Sequence, residues 1–254
     1  MRKFLLIVVF SLMSGALYQF VSTIIDDAKY PPPGRLVDIG GYKLHMHVSG
    51  KSSGPTVVLE AGGGCNSLHF SLVQREIEKF ARVVSYDRAG FGWSDPSPKL
   101  RTSKNMVEEL HQLLQTAKIP GPYVLVGHSF GGMNVQLYTS QYPEEVLGIV
   151  LVDAVHVDQP YTLPHSEKLL KWSLQHPVSR TLIQIGGGLG VFRLFNVLSR
   201  PNKFPPDIYE IILAKSYSTK FFNTALEEYI HFQESQKQGK QKKQEKQEKK
   251  ENQN

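Results

Sequence analysis

The chain has 254 residues, 41% hydrophobic and 20% charged, with a formal net charge of +6 and a single cysteine. This length and balance allow one sizeable buried core, and a lone cysteine excludes a disulfide framework within the chain. The basic surplus is local: residues 237–254 hold seven lysines and three glutamates, so it argues for a solvated end and against a nucleic-acid-binding face.

In chain order, Met1-Arg2-Lys3 precede an apolar stretch from Phe4 to Ile25, interrupted only by small or weakly polar residues such as Ser11, Ser14, Gln19 and Ser22. Twenty-two residues are enough to cross a bilayer. The basic start against Asp26-Asp27 predicts a cytoplasmic N-terminus and an exported domain. Ser14-Gly15-Ala16 is also a small-x-small cleavage site behind a short apolar core, so a removed signal peptide stands beside a membrane anchor. Both outcomes place the domain on the non-cytoplasmic side, tethered or secreted. Tyr30-Pro31-Pro32-Pro33-Gly34 then forms a stiff, extended spacer.

Tyr42-Lys43-Leu44-His45-Met46-His47-Val48 alternates apolar with polar, which predicts a strand with His45 and His47 on its wet face. No third ligand follows nearby, so the two read as solvated histidines and not as a metal pair. Thr56-Val57-Val58-Leu59 is a buried-type strand running into Glu60-Ala61-Gly62-Gly63-Gly64. Cys65 adjoins this loop, but nothing beside it supplies an elbow or a base, so it is not read as a nucleophile. Arg82-Val83-Val84-Ser85-Tyr86 is a further strand, running into Asp87-Arg88-Ala89-Gly90-Phe91-Gly92-Trp93-Ser94. Thr102 or Ser103 can cap a helix whose buried stripe is Met106, Leu110, Leu113 and Leu114, with His111 at its surface.

Tyr123-Val124-Leu125-Val126 enters Gly127-His128-Ser129-Phe130-Gly131, a strand that stops at a serine with glycines two positions either side. A serine turned sharply from strand to helix needs residues without bulky Cβ groups at those glycines, because the backbone is crowded there. The helix that follows carries Met133, Leu137 and Tyr138 on one face, and Tyr142-Pro143-Glu144 stops it. Residues 146–152 read as the next parallel strand, with Asp153 at its carboxyl end. From Ala154 to about Phe232 the chain becomes amphipathic helical pieces broken by prolines and glycines, with no convincing strand. Residues 237–254 lack histidine, aspartate and any apolar side chain, and read as a disordered or frayed-helical tail.

The serine elbow, the D-x-x-G-x-G-x-S loop and the preceding glycine-rich loop resemble the α/β-hydrolase family, in family order from about residue 35 to residue 158. The resemblance implies an α/β fold with a mostly parallel sheet and a helical cap. It divides the chain into an anchor or signal plus spacer over 1–34, a core over 35–158, a cap over 159–232 and a charged tail over 233–254. It makes Ser129 the nucleophile of an acyl transfer on a small ester-like substrate, with the amides of Gly63 and Phe130 as the oxyanion hole. It implies no metal and no organic cofactor. Trp172, Phe192, Phe195, Phe221 and Phe222 become candidates to line an acyl pocket or to pack the cap.

Family members usually return from the cap to two last strands that deliver an acid and a histidine. Here the charged tail stands in their place, so the chain is expected to be C-terminally incomplete, lacking those strands. Asp153 is the candidate for a relocated acid, while His128, His156, His165, His176 and His231 lack the setting of the usual base. An impaired serine hydrolase is thus expected, or alternatively a non-catalytic family remnant or binding module.

Overall fold

A computed structural model of the protein describes residues 1–51, 54–155, 176–199 and 203–251. Six strands form one sheet: β1 (Arg35–Asp38), β2 (Lys43–Gly50), β3 (Thr56–Glu60), β4 (Arg82–Tyr86), β5 (Tyr123–His128) and β6 (Val146–Val152), in the order β1-β2-β4-β3-β5-β6. β1 and β2 are antiparallel to their neighbours, whereas β4, β3, β5 and β6 run parallel. Parallel strands are covered on both faces, which is why β3 is apolar almost throughout and buried at all five positions. The same direction of β3, β4, β5 and β6 gathers the loops after them at one edge of the sheet, where ligands bind in such folds.

The helices are α1 (Arg2–Lys29), α2 (Ser71–Ile77), α3 (Ser103–Thr116), α4 (Phe130–Gln141), α5 (Pro177–Gly188), α6 (Val191–Leu194), α7 (Pro206–Ser216), α8 (Thr219–Ile230) and α9 (Phe232–Glu251). Thr102 is the N-cap of α3, its hydroxyl accepting from the Asn105 amide, and the predicted stripe of Met106, Leu110, Leu113 and Leu114 is buried. Leu110, Leu113 and Leu114 pack with Val58, Val84, Leu125, Val135 and Tyr138 in the largest core. Among the described residues between 154 and 232 there is no strand.

Two expectations change. His45 is not on a wet face: Leu44, His45 and Met46 are all fully buried. The loop after β4 covers that side of β2, so the His45 ring lies 4.8 Å from the Trp93 ring, and its Nδ1 is 2.8 Å from Asp87 Oδ2. His47 is half-buried beside Gln74, 3.2 Å from its amide nitrogen.

The segment from residue 233, expected as a solvated, disordered or frayed-helical tail, is helical, and what departs from that expectation is the docking of its first turns on the core. Ser235 is fully buried, its hydroxyl accepting from the Ser103 amide at 2.9 Å, and Gln238 Oε1 accepts from the Lys104 amide at 2.9 Å. First-turn amides of a helix have no partner inside it, so α9 supplies acceptors that α3 cannot supply itself.

Candidate active site

Ser129 sits between β5 and α4 at φ 51° and ψ −119°, a strained turn for a residue with a side chain. The glycines that permit it do so by close approach. A Cβ at Gly127 would lie 2.6 Å from the Gly131 carbonyl oxygen, and one at Gly131 would lie 2.4 Å from that of Glu60. The Ser129 amide donates to the Val152 carbonyl and the Val155 amide donates to the Ser129 carbonyl, both at 3.0 Å, so the end of β6 clamps the elbow.

Ser129, Phe130 and Gly63 line one cavity of about 460 Å³, whose wall is otherwise mainly apolar, with Val155, Ile183, Leu198, Phe221, Phe222 and Leu226 among its residues. Of the aromatic candidates, Phe221 and Phe222 reach this wall. Phe192 packs behind it, its ring 4.8 Å from that of Phe222, Phe195 is exposed, and Trp172 lies outside the described residues. Asp153 follows the end of β6 with φ 44°, is exposed, and does not line the cavity. The structure thus brings three of the four candidate residues together and leaves Asp153 apart.

Arg88, which sequence reasoning passed over, organises the glycine loop. Its guanidinium is 2% exposed and donates to the Ala61 carbonyl at 2.6 Å, to the Gly62 carbonyl at 2.7 Å, to Glu60 at 3.1 Å and to Glu228 at 2.7 Å. In a trans peptide the N–H points opposite to the C=O. Holding the Gly62 carbonyl on Arg88 therefore turns the Gly63 amide away from the guanidinium. Glu228 also accepts from the Gly64 amide at 3.1 Å, fixing the next peptide. Burial works against the Arg88 charge, but Glu228 and Glu60 outweigh it and hold the guanidinium well above its ordinary pKa. Glu60 further accepts from the Tyr86 hydroxyl and, at 2.9 Å, from Asn134. Arg88 was visible in the loop motif, but nothing in the sequence tied it to Glu228, 140 positions away.

Five of the described histidine rings have partners elsewhere. His45 meets Asp87, His47 meets Gln74, His69 meets Asn66, His111 meets Glu145 and His231 meets Glu227. His128 flanks Gly62: a Cβ there would lie 2.8 Å from His128 Nδ1 and 3.4 Å from Ser129 Cβ. His176 is exposed at the start of α5, and His156 and His165 lie outside the described residues. Cys65 is close to the loop, and burial pushes its thiol up to about 11, which keeps it protonated and unreactive at neutral pH.

Comparison with known proteins agrees with this architecture. The probable transporter efuK of Hormonema carpetanum is 35% identical over 136 residues, 51% of this chain and 19% of that protein. The uncharacterized protein YqjL of Bacillus subtilis is 36% identical over 115 residues, 45% of this chain and 46% of that one. The chain therefore spans less than half the length of these curated relatives. Cfl2 of Burkholderia cenocepacia superposes with a TM-score of 0.69 at 22% identity, covering 82% of this chain and 74% of that one, a likeness of fold. The sequence pattern of the alpha/beta hydrolase fold matches residues 55–182, half of the chain, which takes in the glycine loop, the elbow and β6. The chain belongs to the alpha/beta hydrolase fold family.

Proposed function

We propose that this chain is a membrane-anchored serine hydrolase that carries out acyl transfer on a small ester-like substrate, with slow turnover. The observation that carries the reading is the convergence of Ser129 with Gly63 and Phe130 on one largely apolar cavity. Ser129 Oγ would attack the ester carbonyl, and the two amides would stabilise the oxyanion that forms. A serine hydroxyl is a weak nucleophile until an imidazole takes its proton; five of the described histidine rings are paired elsewhere, His176 is exposed, and His128 lies against Gly62. Asp153, the candidate acid, does not line the cavity. The same reading makes residues 1–34 an anchor and spacer, 35–158 the core and 159–232 the cap, with the domain on the non-cytoplasmic side. α1 is long and apolar enough to cross a bilayer.

A second reading, a non-catalytic binding module, is favoured by the lack of a described base at Ser129. One experiment separates the two. The full chain in detergent is mixed with p-nitrophenyl acetate in single turnover, beside Ser129→Ala, and a fluorophosphonate adduct is located by mass spectrometry. The expected result is slow acylation at Ser129, with a residual enhancement of about 10³–10⁴ from the oxyanion hole and binding. Equal rates for the two proteins would favour the binding module. Turnover near about 10 s⁻¹, the ordinary enzyme median, would overturn the impairment and point to His156 or His165 as the base.

A further inference from the structure

α1 does not leave the domain at its first residue after the bilayer; its second half is seated on α5, α6 and α7. A Cβ at Gly15 would lie 3.0 Å from the Leu189 carbonyl oxygen, so the glycine lets the turn between α5 and α6 touch the helix. Gln19 is 2% exposed and donates to the Tyr217 carbonyl at 2.6 Å. Further along, Asp26 pairs with Arg193 of α6, and Asp27 accepts from Lys215 of α7 at 2.7 Å.

At 1.5 Å per residue, about 30 Å of hydrocarbon takes about 20 residues of helix. Counted from Phe4, the far boundary falls near Thr23. Gly15 and Gln19 then lie on the hydrocarbon side of it and Asp26-Asp27 on the aqueous side, so whatever touches Gly15 is itself below the headgroups. That segment is dressed for the place. On α5, Val178, Leu182 and Ile185 follow i, i+4, i+7 spacing and are all exposed, Leu182 at 62%. At the end of α6 and just after it, Leu194, Phe195 and Val197 are exposed too, Phe195 at 71%. Residues 176–199 contain two arginines and no acidic residue.

We propose that this apolar face of α5 and α6 is immersed in the lipid bilayer beside α1, the occupant being the acyl-chain region of the leaflet next to the domain. The proposal rests on the reading of α1 as an anchor. It also bears on the substrate: Ile183 and Leu198 of the same segment line the cavity that holds Ser129, so the cavity adjoins the lipid and suits an ester carrying an acyl chain.

The test uses the full chain reconstituted in phosphatidylcholine vesicles whose acyl chains are brominated. Leu182→Trp and Phe195→Trp are compared with the parent and with Lys99→Trp, a position far along the chain on an exposed loop. The added emission of the first two should be quenched at least twofold by the brominated lipid, and that of Lys99→Trp should not. Equal emission in brominated and plain lipid at both positions would overturn the proposal, as would loss of quenching together with a dimer mass, which would give the face to a second copy. Failure of α1 to resist alkaline carbonate extraction would instead refute the anchor reading. Neither readout depends on Ser129 being active.

Discussion

Arg88 faces two carboxylates and two loop carbonyls in a place almost without water, and such a group is expensive to disturb from either side. Removing one partner of a buried ion pair costs about 3–5 kcal/mol, because the charge left behind is uncompensated. Arg88→Met is expected to lose that much stability, measured by denaturant unfolding in detergent. Glu228→Gln is the milder change, since its amide oxygen can still accept from the Gly64 amide. It should fold and yet slow Ser129 acylation about tenfold, equivalent to about 1.4 kcal/mol, by loosening the peptide that carries the Gly63 amide. Unchanged acylation would show that Ala61 and Gly62 suffice to hold the loop.

Asp87 gives a pH dependence. Burial by itself would raise its carboxyl, but the His45 ring and the amides of Ser67 and Trp93 outweigh burial and hold it below the ordinary 3.8. The unfolded chain therefore binds this proton more tightly. The stability it contributes is fully present above the unfolded value and is lost as pH falls through the lower folded value. The melting temperature of the full chain should thus fall below about pH 4, and Asp87→Asn should begin lower and fall less steeply. A parent Tm that is level down to about pH 2.5 would contradict this assignment.

Among the strands, β6 has the least cover. Leu147, Ile149, Val150, Leu151 and Val152 are all exposed, and among the described residues only β5 pairs with it. An apolar edge with free amides and carbonyls invites pairing with other chains, and lysine is the usual deterrent. Leu147→Lys with Leu151→Lys should raise the monomer fraction at low detergent, read by size-exclusion chromatography. Each substitution should change stability by no more than about 0.5 kcal/mol, as at other surface positions. Unfolding of this variant would mean that the face is covered after all. α9 shows the opposite situation: a segment with almost no apolar residue after Phe232 is anchored through Ser235 and Gln238, because α3 had unpaired amides to offer.

For the molecule as a whole, the sequence by itself determined what lies between neighbours along the chain. Although Gly131 is crowded by the Glu60 carbonyl of β3, which the elbow pattern implies but does not name, the strand before Ser129, the helix after it and the crowding of Gly127 against Gly131 and Gly132 are local. The same holds for the Thr102 cap and the α3 stripe, which repeat with the period of one helix. The family was legible for this reason: its signature is a set of local turns in a fixed order. Only the tertiary structure decided which distant groups meet. Alternation along β2 gave His45 a wet side, and a loop some 40 residues on closed over it. Gln19 reads as a weak interruption in an apolar run, and only the fold supplies its partner, the carbonyl of Tyr217 just after α7, 198 positions away. Glu228 became the second partner of Arg88 because α8 folds back over the glycine loop. The physical reason is that backbone conformation is set by adjacent side chains, whereas burial and pairing belong to whichever surfaces the fold lays against each other.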